Sequence, residues 1–105
     1  MSEIIVLASA RAKVGREDAL EKAFRAAIQP THEEAGCLKY ALHQSMDDAH
    51  AFVMIEKWVS QEALDQHLKA PHIQKLFKQL PDLLERPMQI QIYKAIREGS
   101  PEKLL

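Results

Sequence analysis

FVMIEKWVSQEALDQHLKAPH, from Phe52 to His72, is a strand that breaks once and continues as a helix. In an extended chain the side chains alternate, so Phe52, Met54, Glu56 and Trp58 share one face, opposite Val53, Ile55, Lys57 and Val59. The only Trp in the chain therefore sits on the same face as a carboxylate. Ser60 is the type of residue that caps a helix by accepting an early backbone N–H, and Glu62 suits the positive end of the helix dipole. Beyond it Ala63, Leu64, His67 and Leu68 recur at helical spacing, which sets His67 on the inward stripe. Pro71 ends that helix or restarts the next, and His72 follows. A Glu, a Trp and two His thus converge on one strand–helix corner, read either as packed core with satisfied polar groups or as a reactive site.

Around this corner the chain divides into recurrent elements. Upstream, IIVLASARA (Ile4 to Ala12) is a strand that begins apolar on both faces, so each face needs a cover. Gly15 turns the chain into a helix over about Arg16 to Glu34, with Leu20, Phe24, Ile28 and the alanines Ala19, Ala23 and Ala27 as its stripe. Pro30 is expected to kink or break that helix, leaving His32, Glu33 and Glu34 as a solvated end. Gly36 suits a left-handed helix stop. Cys37 to Met46 is a second strand, with Tyr40 and His43 on opposite faces, and Asp47 to Ala49 turns it into an antiparallel hairpin with the Phe52 strand. His50 is expected to be exposed at the hairpin end. Downstream, His72 to Leu84 is helical with Ile73, Leu76, Phe77 and Leu80 inward and Pro81 limiting it. Arg86 to Ile96 is the last strand, Met88, Ile90 and Ile92 alternating with Gln89, Gln91 and Tyr93. Residues 1–96 read as one domain and residues 97–105, REGSPEKLL, as a tail.

Two segments, MIEKWVSQEALDQHLKAPH (54–72) and EEAGCLKYALHQS (33–45), resemble the landmarks of the antibiotic biosynthesis monooxygenase family, in its small quinol-monooxygenase-like branch. The likeness runs in order from Ile4 to Tyr93. It implies an α+β fold, a ferredoxin-like βαββαβ subunit that pairs into a dimeric α+β barrel. It also implies oxygenation without metal or flavin: a quinol or polycyclic phenol is deprotonated and its anion reacts with molecular oxygen. Such chemistry needs an apolar cavity, donors for the phenolate and a base that titrates near neutrality, a role His fills.

Among the five His, His67 is the leading base because it alone lies on the apolar stripe beside Trp58, followed by His72 and His43. Glu56 is expected to orient His67 or to pair with a Lys or Arg. Trp58 offers a stacking wall for an aromatic substrate, with Tyr40, His43 and His72 as further binding candidates. Family members also include isomerases, which need an anion-holding cation such as Arg11, and haem degraders, which use an Asn on the first strand; this chain has no Asn. A non-enzymatic ligand-binding dimer is a further alternative.

Composition closes off other classes. The chain has 105 residues, 47% of them hydrophobic and only three Gly, as expected of one compact domain. Its 14 basic and 15 acidic residues are intermingled, without the basic stripe that nucleic acid requires. No apolar run is long enough to span a bilayer, and the lone Cys37 cannot form an internal disulfide, so a reducing, cytoplasmic setting is expected. There is no phosphate-binding Gly-rich loop, no nucleophile elbow and no Cys pair for zinc. His67 and His72 lack the i, i+4 spacing of two ligands on one helix face, so no metal and no cofactor is expected.

Overall fold

The computed structural model describes residues 2–105. Four strands, β1 (Ile4–Arg11), β2 (Cys37–Gln44), β3 (Ala51–Trp58) and β4 (Gln89–Lys94), form one antiparallel sheet in the order β2-β3-β1-β4. Three helices, α1 (Glu17–His32), α2 (Gln61–Lys69) and α3 (Pro71–Leu83), complete a βαββαβ chain whose second helical crossover is split in two. The register sets Val6, Glu56 and Tyr40 side by side across β1, β3 and β2. The face that carries them also bears Ala8, Ala10, Phe52, Met54 and Trp58, all buried. The helices cover this face with Leu20, Phe24 and Ala27 of α1, Leu64 of α2, and Ile73, Leu76 and Leu80 of α3.

The start of α2 is as expected, Ser60 Oγ accepting the Ala63 backbone N–H at 3.1 Å. Both interior prolines behave differently from the expectation. α1 runs through Pro30 to His32, and α3 runs through Pro81 to Leu83. A proline in the last turn removes one i→i−4 hydrogen bond, but little helix follows to be disrupted, and buried Thr31 and Leu83 hold these turns against the core. The α3 end is tied to the end of β1, with Lys13 N–H on the Leu83 carbonyl at 2.9 Å and Glu85 N–H on the Arg11 carbonyl at 2.8 Å. Gly36 is not left-handed either; positive φ occurs only at Gly15 and Gly99 among the described residues. Its reason is space, since a Cβ there would lie 2.4 Å from the Ala63 Cβ of α2.

Two strands are shorter than the sequence suggested, β2 stopping at Gln44 and β4 spanning Gln89–Lys94. Every residue of this edge strand β4 is exposed, including Ile90 and Ile92 on its helix side. Residues 95–105 contain only a short 3-10 turn, Pro101–Lys103. No helix among the described residues is long and apolar enough to cross a membrane.

Candidate active site

The site forms where the C-terminal end of β3 meets α2. Glu56 and Trp58 are two residues apart on the inward face, close enough for the indole N–H of Trp58 to donate to Glu56 Oε1 at 2.8 Å. Glu56 is 5% exposed. Burial pushes its carboxyl up to about 7, the Trp58 hydrogen bond opposing and the negative charge of Glu34 adding to the rise. Tyr40, opposite Glu56 on β2, is buried, and its phenol is pushed well above the usual range by burial and then by the Glu56 charge.

His67 drops from α2 into this corner and is 3% exposed. Its ring lies 4.4 Å from that of Trp58, tilted by 42°, and 5.4 Å from that of Tyr40, edge-on. Three aromatic rings therefore frame the buried carboxyl. The residue that orients His67 is not Glu56 but Glu34. His67 Nδ1–H donates to Glu34 Oε2 at 2.7 Å, and His72 Nε2–H donates to the same oxygen at 2.8 Å. With Nδ1 carrying the proton, Nε2 of His67 is the atom with the free lone pair. Burial lowers the His67 pKa, and the Glu34 hydrogen bond and charge oppose that fall.

How His72 arrives here explains why its spacing misled. On one continuous helix, residues five apart point in well separated directions. Ala70, extended at ψ 147 ahead of Pro71, separates α2 from α3 and reorients the second histidine. The bend places both rings on Glu34, their centroids 6.1 Å apart. Glu34 does not lie at a solvated helix end with His32. It belongs instead to the turn between α1 and β2, whose Gly36 carbonyl accepts the Val59 N–H at 3.0 Å and which lies against Ala63. The close approach at Gly36 was the signal available in the sequence, but its partner lies 27 positions further on.

Other candidates fall elsewhere. His43 is on the opposite face of β2, exposed, and lines a separate depression of about 330 Å³ with Ser9, Arg11 and Arg86. Arg11 is at the far end of β1, paired with Asp48 at 2.6 Å and Glu85 at 3.3 Å. His50 is half-buried rather than exposed, with Nδ1 3.3 Å from the Ala12 carbonyl and 3.7 Å from Glu17. His32 is exposed as expected, yet its Nε2 lies 2.8 Å from the Tyr40 carbonyl. A cavity of about 20 Å³ remains between the sheet, α2 and α3, lined by Tyr40, Glu56 and His67 with Phe77, Met88 and Ile90 on its outer side. Trp58 does not line it. The largest depression, an open groove of about 700 Å³ between α1 and α3, is floored by alanines and touches the site only through His72.

Taken together, these features define a small ferredoxin-like α+β protein with a buried histidine, held by a half-buried glutamate, under aromatic walls. Residues 3–79 match the family model described as antibiotic biosynthesis monooxygenase, and the chain belongs to that family. A protein of Mycobacterium tuberculosis named "Putative monooxygenase Rv0793" is 32% identical over 99 residues, covering 94% of this chain and 97% of that one. The solved structure of Rv0793 superimposes with a TM-score of 0.88 over 94% of this chain and 100% of its own. That of PA3566 from Pseudomonas aeruginosa, 33% identical, gives 0.82 over 94% and 97%. Uncharacterized protein sll1783 of Synechocystis is 29% identical over 91 residues, which cover 87% of this chain and 62% of that relative's length.

Proposed function

We propose that this chain is a cofactor-independent monooxygenase that oxidises a quinol or polycyclic phenol with molecular oxygen, working as a homodimer. The observation that carries the reading is the buried His67, held by Glu34 through Nδ1 at 2.7 Å and flanked by Trp58 and Tyr40. This arrangement leaves Nε2 as a base in an apolar, aromatic setting, as proton removal from a phenol requires. The phenolate then passes an electron to oxygen, radical recombination gives a peroxide, and loss of water leaves the quinone. Glu56, its carboxyl near neutrality, holds or returns a proton in the same pocket. Family membership and the name of the Mycobacterium tuberculosis relative support the oxygenase class.

A cavity of about 20 Å³ holds one water at most. Substrate entry therefore requires the half-buried Phe77 and Met88 to swing outward beside exposed Ile90. The isomerase alternative gains nothing from the geometry, because Arg11 is remote and already paired.

The test is oxygen uptake with a reduced naphthoquinone, with no metal or flavin added and a chelator present. The rate should exceed autoxidation without protein. His67→Gln retains a donor for Glu34 but removes the base, and should lower turnover by roughly 10²–10⁴-fold while leaving the melting curve nearly unchanged. Full activity in a well-folded variant would end the assignment of His67 as base. Turnover of a lactone or a phosphorylated dione alone would replace the oxygenase with an isomerase.

A further inference from the structure

His67 Nδ1, His72 Nε2 and Glu34 Oε2 lie within 4.8 Å of one another, and they come from three separate elements. We propose that they form a binding site for one divalent transition-metal ion of the zinc or cobalt class. The site rests on the geometry of the three side chains and shares His67 with the oxidation proposed above. An ion on Nδ1 leaves the ring proton on Nε2, so the metal-loaded chain should lose that base and its oxygen uptake.

The donor set argues for this class of ion. Two imidazoles and one carboxylate suit borderline metals, whereas calcium and magnesium prefer an all-oxygen shell. Distance argues for it too. Ligand bonds of about 2.0–2.2 Å at tetrahedral or octahedral angles put neighbouring donor atoms roughly 3.0–3.4 Å apart. Here the two N···O separations are 2.7 and 2.8 Å and all three atoms lie within 4.8 Å, so an ion widens the N···O contacts slightly and draws the two rings to a common distance. Both ring nitrogens face the same Glu34 oxygen, so an ion entering among the three atoms displaces the proton that each nitrogen donates there.

The surroundings separate this cluster from an ordinary surface ion pair. The His67 side chain is 3% exposed and stacked against Trp58, which fixes its ring. The Glu34 and His72 side chains, at 19% and 20%, leave one side open to solvent. Three protein ligands and an open position are the pattern of zinc sites that bind water or a small ligand. Among the described residues no other group of three such side chains comes together.

Chelator-stripped protein dialysed against cobalt should bind one ion per chain, with the strong visible absorption of a low-coordinate cobalt–imidazole site. Zinc should displace it, and magnesium in excess should not. His72→Gln and Glu34→Gln each remove one ligand at a partly exposed position and should weaken cobalt binding at least about tenfold. A melting curve on each variant confirms that it is folded. His43→Gln, on the opposite face of the sheet, should bind as the unsubstituted chain does. Absence of saturable cobalt binding, or equal affinity in folded His72→Gln and Glu34→Gln, would overturn the site.

Discussion

At the scale of single residues, the buried Glu56–Trp58 pair makes the clearest physical demand. Burial holds the Glu56 carboxyl at about 7, against 4.5 for a free side chain. Between these values the folded chain keeps a proton that the unfolded chain releases, so stability falls as pH rises across the window and levels off above it. The full difference is on the order of 3 kcal/mol. Glu56→Gln keeps an oxygen for the Trp58 N–H and cannot ionise. Denaturant titrations should find it about 1–3 kcal/mol more stable than the parent at pH 8 and nearly equal at pH 4.5; parallel curves at the two pH values would rule out an ionising, buried Glu56. The convergence of Glu56, Trp58 and His67 was legible in the sequence because strand alternation and a helical stripe are both local patterns. Glu34 was not, since its partners lie 33 and 38 positions away and only the tertiary turn brings them in. A carboxylate beside a helix end looks the same whether it meets water or two histidines.

Elements are positioned here by approach as much as by hydrophobic burial. α2 must come close to the α1–β2 turn for His67 to reach Glu34, and Gly36 permits it. Its φ is not left-handed, so an alanine suits the backbone and even restricts the unfolded chain, a gain of roughly 0.4–1 kcal/mol. The new Cβ, however, meets the Ala63 Cβ at 2.4 Å and Val59 Cγ2 at 3.3 Å. Ala63 cannot rotate its Cβ away, so α2 must move out by roughly 1 Å to restore ordinary carbon contact. Such overpacking typically costs about 1–3 kcal/mol, which exceeds the backbone gain. Gly36→Ala should therefore lower Tm by several degrees, and the His67 imidazole resonances should shift as its distance from Glu34 grows. A Tm at or above that of the parent would show that the turn has slack. The prolines teach a related lesson. Pro30 and Pro81 look like breakers in the sequence, but each falls in a final helical turn, where one lost i→i−4 bond disrupts little further helix and buried neighbours decide the end.

For the whole molecule, one face of the sheet has its helices and the other has nothing. β1 announced this in its sequence, where IIVLASARA begins apolar on both sides. On the uncovered face Ile5 and Leu7 of β1 stand beside Val53 and Ile55 of β3, all four only half-buried by their own sheet. These are the two central strands, where a solvent-facing antiparallel sheet would alternate to polar residues. Exposed Tyr93 of β4, paired with Ile5, extends the uncovered surface along the edge. In the proposed dimer a second copy would cover this face, and closure of two such sheets into a barrel would remove the liability of β4 as an open edge. Light scattering at micromolar concentration should then give twice the 12.0 kDa of one chain. Ile55→Lys puts a charge at the centre of the uncovered face while leaving the helix-covered core untouched. It should halve the mass with the far-UV circular dichroism retained, because in the separate subunit that side chain lies on the solvent side of the sheet, away from the core. A parent mass of 12.0 kDa would remove the dimer altogether. A variant that still scatters as a dimer would place the contact on some other surface of the chain.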